Sequence, residues 1–579
     1  MSTSLPQAVD PAVALFVLLP FLLILAAVLA LPVSVGLLGF YRRAVLESMH
    51  ARANPRIAEP APPQAPAPTD LTVRARLVLA TLDHTSPIET GSMAEALYSG
   101  ILRAPRRTAA IYAVAGSCYA LVMTAAFLGA AKIEFHPLRV LPLFLLLFWA
   151  YAWPVVLTVN LVAVPTRRAK LATTSVYFFV LVALSAIVIA TSPTFGWSDA
   201  ILIWSFINLP VTVLLLTFLN RRIRAVGPLV FTFVFLVLMG HLTLIAAVGE
   251  EGRLRAVSGL GVILGLGADG ILLGLIVLDL VTFGLAGWLA LRWIRDRYER
   301  KKISDQSIIL DAIWLMVGVV HSTSLVAFAS TAWALSGLFA LAVYKGVAWA
   351  GFSLVGRRAG PASKSPKLLL LRVFSLGNRS ERLYDVLGMH WRHAGSIWLI
   401  AGPDLATTTV EPHEFLDFLS RKLARRFIDG PQTLGLRLSE ADIEPDRDGR
   451  YRVNDFFCHD DTWRMVLSHL VEESDAVLMD LRGFSPQNDG CVFEIDELIN
   501  VVLLGRVVFI IDETTDEPYL WHTVQRSWNR MRPTSPNRLS TSGQLRLFRF
   551  TGSRSSELQQ LLRTLCVAAK AAPQIATRE

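Results

Sequence analysis

The chain has 579 residues, 53% of them hydrophobic and 17% charged, and a formal net charge of +9. A water-soluble globular chain carries closer to a quarter charged residues. The composition therefore excludes a purely soluble protein and places the apolar excess in segments too long for an ordinary core. Lys and Arg fall in short clusters at the ends of apolar runs, which fits retention at the inner face of a membrane. Nucleic acid is accordingly not expected as a partner. Cys118, Cys458, Cys491 and Cys566 are the four cysteines, with no CxxC or Cys/His spacing. That excludes a disulfide scaffold and a zinc centre, and no metal is expected.

At the N-terminus, residues 1–11 carry no Lys or Arg, and the apolar run from Ala12 to Phe40 exceeds a signal-peptide core. It reads as a retained anchor. Tyr41-Arg42-Arg43 follow it and place that end inside. Residues 54–69 are rich in Pro and Ala and read as an extended linker. Residues 71–103 read as helical, somewhat amphipathic, and lying on the membrane surface.

The fold class expected for residues 1–364 is an all-α polytopic membrane bundle of about nine spans. They lie near 12–40, 110–130, 140–164, 171–191, 200–219, 227–248, 270–291, 307–326 and 331–354. The glycine-rich stretch 258–270 reads as re-entrant or as an extension of the seventh. Basic clusters at Arg42–Arg43, Arg103–Arg107, Arg167–Lys170, Arg221–Arg224, Arg292–Lys302 and Arg357–Lys367 all fall on one side if nine spans start outside. The N-terminus is then outside and the C-terminus inside the inner (plasma) membrane of a bacterium. Ionisable residues in lipid are expensive and mark function by default. Asp279, near the middle of the seventh span, is the intramembrane polar candidate. Asp269 and His321 fall near span ends, Lys345 can snorkel, His241 and Asn160 read as bridges between helices, and Asn208 lies in the fifth span.

From Lys367 the texture changes, and residues 365–579 read as a cytosolic α/β domain. Apolar strands are expected at 368–374, 396–401, 476–481, 506–511 and 545–550. Helices are expected at 379–391, 413–428, 461–473, 490–503, 518–531 and 555–569. Residues 429–460 read as irregular, with at most a short strand at 433–438. Continuous apolar strands alternating with helices predict a doubly wound parallel sheet. Ligands of such sheets sit beyond the carboxyl ends of the strands, at the switch point. A flavodoxin-like strand order lines that point with the loop 375–379, containing Ser375 and Arg379, and with 480–485, containing Arg482 and Ser485. These four are the candidate ligand-binding residues. Asp512 and Asp516 could hold a ribose or a cation, although strand-end turns favour Asp anyway.

The segment AVLMDLRGFSPQNDGCVFEIDEL, residues 476–498, resembles the strand-loop-helix of Toll/interleukin-receptor (TIR) domains, where a helix opens with Cys-x-x-Glu. It is also similar to the Gly-containing turn before the glutamate of nucleoside deoxyribosyltransferases. Cys491 and Glu494 match the first pattern; Asp489, Gly490 and Glu494 match the second. The resemblance implies that Glu494 is catalytic, acting at the anomeric carbon of a nucleotide or nucleoside, with NAD or a nucleotide as ligand. By position alone, Glu494 reads instead as a solvated carboxylate favourable to a helix dipole. Cys491 reads as a packed residue.

Three functions follow from these residues. The first is a membrane-anchored signalling or interaction protein, with the bilayer, a second copy of the chain and a cytosolic protein as partners. The second is an N-glycosidase or transferase using Glu494. The third is a transporter or channel with a regulatory cytosolic domain.

Overall fold

The computed structural model describes residues 11–51, 77–88, 91–132, 137–164, 166–192, 194–218, 226–248, 267–358, 365–373, 378–401, 412–539, 543–552 and 555–571, with isolated residues between 255 and 265. The Pro-rich linker and Ser375 lie outside these, as do the side chain of Arg379 and most of the glycine-rich stretch before 267. The chain divides into two compact units. One comprises Met1–Gly39, Arg106–Arg358 and Val410–Leu416; the other comprises Phe40–Pro105, Ala359–Thr409 and Asp417–Glu579.

The first unit is helical. Its helices are α1 (Pro11–His50), α2 (Ser92–Ala130), α3 (Pro137–Tyr151), α4 (Trp153–Val162), α5 (Arg167–Thr191), α6 (Trp197–Phe218), α7 (Gly227–Val248), α8 (Ala268–Glu299), α9 (Asp305–Phe328) and α10 (Ser336–Arg358). The first residues of α2 and the last of α1 belong to the second unit. Among the described residues, seven helical segments are long and apolar enough to cross a membrane, where the sequence predicts about nine. Two shorter apolar segments, Trp197–Val213 in α6 and Gly227–Leu242 in α7, lie where two further spans are expected. The chain is a membrane protein by this measure.

The expected span 140–164 is interrupted at Ala152, with Pro154 two residues on. Side chains meet the carbonyls around the break: Tyr177 donates to Trp149 O at 3.1 Å and Asn208 Nδ2 to Ala150 O at 3.1 Å. Broken helices persist in apolar surroundings only where such partners exist. α9 is the most buried of the long helices. It approaches α10 through two glycines, for a Cβ on Gly337 would lie 1.9 Å from the carbonyl oxygen of Gly318. Small residues of this kind let backbones pack closely in lipid.

Among the described residues the second unit is built on eight parallel strands: β1 (Leu77–Leu82), β2 (Leu368–Arg372), β3 (Ile397–Ala401), β4 (Phe427–Ile428), β5 (Val453–Cys458), β6 (Ala476–Asp480), β7 (Val507–Ile511) and β8 (Gly543–Arg549). Their order is β1-β8-β7-β6-β2-β3-β5-β4. Successive side chains of a strand face opposite ways, and this divides the core in two. Leu369, Leu371, Val477, Met479, Val507, Phe509 and Ile511 face one layer. That layer is closed by α14 (Trp463–Glu473), α15 (Asp489–Val501) and α16 (Glu517–Asn529). Leu368, Leu370, Leu478, Val508 and Ile510 face the other. There α11 (Asn378–Trp391), α17 (Ser555–Ala569) and Ala94, Tyr98 and Ile101 of α2 cover the sheet. Each fully buried Leu, Ile or Val stabilises the unit by roughly 1.5–3 kcal/mol, which is why the central strands are mostly apolar.

Four expectations are corrected. Residues 77–82 are not part of a surface helix but the edge strand β1, paired with β8 from Leu77↔Gly543 to Leu82↔Phe548. Residues 433–438 are not a strand but lie in helix α13 (Pro431–Glu440), opened by Gly430 and Pro431. The expected irregular stretch also contains β5, and the expected helix 413–428 stops at Leu419 (α12, Pro412–Leu419) before β4 begins.

The last turn of α1 is held within this second unit. Tyr41 meets Phe418 edge-on with ring centroids 5.5 Å apart. The backbone N–H of Asp460 donates to Met49 O at 3.1 Å, and the ring of His459 lies between Ser48 O (2.7 Å) and Asp429 Oδ1 (2.9 Å). Carbonyls that a helix C-terminus leaves unpaired are thus satisfied by the loop after β5.

Candidate functional site

The strand order carries the chain from β2 outward through β3 to β5, then back across to β6, β7 and β8. The switch point therefore lies between β2 and β6, where the sequence predicts it. Two charged residues end these strands. Arg372 and Asp480 are Cα partners across the pair, and both side chains are buried. Asp480 falls in the loop expected to line the switch point, whereas Arg372, the one charged residue in LLLLRVF, is a signal that sequence reading passed over.

Arg482 turns back on Asp480. Its Nε donates to Asp480 Oδ1 at 2.8 Å and its Nη2 to Oδ2 at 2.7 Å. The chain then reverses at Gly483, whose φ of +70° is the left-handed conformation glycine tolerates best. The Arg482 guanidinium also lies 5.8 Å from the ring centroid of Phe550, just past β8. Arg482, a candidate ligand-binding residue, is bound to Asp480 in a buried, bidentate clamp. Ser485, expected in the same role, is held in the turn before α15, its hydroxyl donating to Gln487 Oε1 at 2.6 Å and Asn488 Oδ1 at 3.0 Å. Asp512 closes its own turn through Thr514 N–H and hydroxyl. Asp516 caps α16 by accepting from Tyr519 N–H at 3.0 Å.

Glu494 departs most from the positional reading. It is not solvated but 3% exposed, and its Oε2 is buried with no hydrogen-bond partner among the described residues. The cause is helical periodicity. Cys491, Glu494, Ile495 and Leu498 fall on the buried face of α15. The carboxyl thus follows the apolar stripe into the layer beneath β2 and β6. Burial pushes its pKa up to about 8, against the opposing pull of Arg372. It is a largely protonated acid at neutral pH. Cys491 Sγ donates to Arg372 O at 3.8 Å, and burial raises its thiol far above the range of a nucleophile. Tyr384 of α11 donates to Leu371 O at 3.2 Å, and burial holds its phenol protonated within the influence of Arg372, Asp480 and Glu494.

The site is therefore two guanidiniums, the carboxylate of Asp480, one protonated carboxyl and a phenol, gathered at the carboxyl ends of the central strands. Among the described residues no group of His, Cys, Asp and Glu could hold a metal ion.

In the helical unit, Asp279 of α8 is buried. Its Oδ2 lies 3.1 Å from His241 Nδ1 of α7, and its Oδ1 has no partner. His241 thus bridges helices as expected, and so does Asn160, whose Oδ1 accepts from Thr173 at 2.6 Å. Lys345 does not snorkel alone; its Nζ meets both oxygens of Asp311 at 2.6 Å. His321, expected near water, is fully buried, with Nδ1 3.0 Å from the Tyr119 hydroxyl.

Fold and site together define a membrane protein bearing a parallel-sheet α/β unit with a buried acid at its switch point. No family model, curated protein or solved structure matches the chain.

Proposed function

We propose that this chain anchors a TIR-like α/β domain on the cytosolic side of a bacterial inner membrane, through about nine spans, and that the domain acts on NAD or a related nucleotide through Glu494. One observation carries the reading: a carboxyl, nine-tenths buried and more, with an orphaned oxygen at the switch point of a doubly wound sheet. A buried polar atom without a partner costs about 1–3 kcal/mol, and a buried acid with a raised pKa at a switch point fits a functional role. A solvated helix-start carboxylate would carry no such cost.

The chemistry follows from charge. The nicotinamide of NAD is cationic, and the ribose gains positive character as its N-glycosidic bond breaks. A cation beside Glu494 lowers the pKa that burial has raised, so substrate itself would ionise the acid. The carboxylate then stabilises the developing oxocarbenium ion. Water adds its oxygen to the anomeric carbon, its proton passes to Glu494 or solvent, and nicotinamide leaves with the bonding electron pair. Arg372 is the cation nearest in influence to Glu494 and would orient it. Arg482 positions the site through Asp480.

The test is NAD hydrolysis by the full-length protein in detergent, beside Glu494→Gln. Turnover that the variant loses by 100-fold or more supports the reading, a range that removal of an acid–base group commonly spans, about 10²–10⁴. Equal turnover, or none in the folded wild type, refutes it for NAD.

A transport role for the helical unit is the second reading, and it rests on Asp279. An acid buried among apolar helices with a histidine on the neighbouring helix is the pairing expected where protons or cations are handled.

A further inference from the structure

We propose that Arg42, Arg43, Arg421, Lys422 and Arg425 form a binding surface for the anionic headgroups of the bilayer that α1 enters. The inference is independent of the chemistry at Glu494.

The apolar run of α1 ends at Phe40. Tyr41 is then buried against Phe418, and Arg42 and Arg43 are exposed beside it. Phe418 belongs to the last turn of α12, and the chain that leaves this helix carries Arg421, Lys422 and Arg425, all exposed. The Tyr41–Phe418 contact therefore brings two basic runs to one place, directly after a membrane-length apolar helix. None of the five makes an ion pair among the described residues. The acid within the cluster, Asp417, is already bound to Arg426 at 2.7 Å. Glu47, one turn further along α1 from Arg43, is exposed. Asp429 and Asp460 are further exposed acids, placed nearer the end of α1 by His459 and Met49, so the five cations outnumber the three exposed acids Glu47, Asp429 and Asp460 around them.

Arg421 adds a second observation. α12 ends in a Schellman motif: Arg421 N–H donates to Phe418 O at 2.9 Å and Lys422 N–H to Asp417 O at 2.8 Å. The residue at its turning point adopts a left-handed conformation and is most often glycine. Here it is Arg421, with φ +57°. A long cationic side chain stands where stability favours glycine, and its charge projects into solvent next to two others.

Each Lys or Arg held near an anionic leaflet adds attraction that fades within a Debye length, roughly 8 Å at physiological salt. Five cations at the end of an apolar helix match phosphate-bearing lipid headgroups. A nucleic acid would need the same charge without the adjoining apolar helix.

The test uses the full-length protein in neutral detergent, with phosphatidylglycerol and phosphatidylcholine offered in equal amounts and bound lipid counted by native mass spectrometry. The wild type should retain phosphatidylglycerol in preference. Arg421→Ala/Lys422→Ala/Arg425→Ala should lose roughly tenfold or more of that preference, given the contribution per cation. Arg421→Lys/Arg425→Lys, which keeps the charge, should retain it, as should Arg447→Ala, which removes an exposed cation elsewhere. Unchanged preference in the triple variant overturns the proposal, and so does no preference in the wild type. Equal displacement of lipid by free glycerol phosphate would also overturn it, because the site would then read a soluble anion. Tighter retention of a short oligonucleotide than of phosphatidylglycerol would do the same.

Discussion

Arg372 and Asp480 stand opposite each other as Cα partners at the carboxyl ends of β2 and β6. Asp480 is clasped by Arg482, and the field of Arg372 reaches Glu494. The pair thus sorts the site into a closed clamp and an acid whose protonation is set by burial and one cation.

The first prediction concerns that acid. Its pKa in the folded protein, about 8, lies above the ordinary 4.5, so the folded state keeps a proton that the unfolded chain releases. The resulting stability is fully present below about pH 4.5, declines as pH rises, and is gone above about pH 8. Glu494→Gln has no proton to lose and should show a flatter profile across this window. Thermal unfolding at pH 5 and pH 9 checks this; parallel profiles would refute the buried acid.

The clamp gives the second. Asp480→Ala leaves the Arg482 guanidinium buried without its partner, and should lower stability by about 3–5 kcal/mol. Replacing both ends by apolar residues of similar size, Asp480→Leu with Arg482→Met, should recover much of that loss. Denaturant midpoints of the three proteins decide the matter, and a double variant as weak as the single would contradict it.

For the helical unit, His241→Ala removes the partner of Asp279 Oδ2 and leaves both oxygens unsatisfied. Side-chain hydrogen bonds between membrane helices contribute about 0.6–2 kcal/mol, and a double-mutant cycle with Asp279→Asn should return a coupling in that range. Strictly additive effects on detergent unfolding would show that the two side chains do not interact.

The pairing of β1 with β8 yields a fourth. A fragment beginning at residue 365 lacks β1 and the part of α2 that covers the sheet, so β8 becomes an open edge with apolar surface beside it. Such edges template aggregation. This fragment should aggregate on size-exclusion chromatography, whereas one that also carries residues 77–105 through a linker should elute as a defined species.

Much of this architecture was legible in the sequence. The apolar helices, the five central strands and the switch point all stand near their expected positions, because long apolar runs and buried parallel strands leave little ambiguity of period. β1 was not legible: LVLATL is six residues long, sits between a Pro-rich segment and a helix, and its partner strand lies far along the chain. β5, VNDFFC, was hidden by its two polar residues, and α13 by a leucine pattern that suits strand and helix alike. Glu494 was misread because its place near a helix start suggested solvent. The spacing of Cys491, Glu494, Ile495 and Leu498 already carried the answer, since a carboxyl on the apolar stripe of a helix shares the burial of its neighbours.

The register of β1 on β8 also has a consequence for biogenesis. The two strands are joined by pairing yet lie roughly 470 residues apart, a separation that a ribosome working at about 5–20 residues per second bridges in some half a minute to a minute and a half. During that interval every apolar helix between them is synthesised while LVLATL has no β8 to pair with. The edge of the sheet formed by β1 can close only after β8, the last strand in the chain, has emerged.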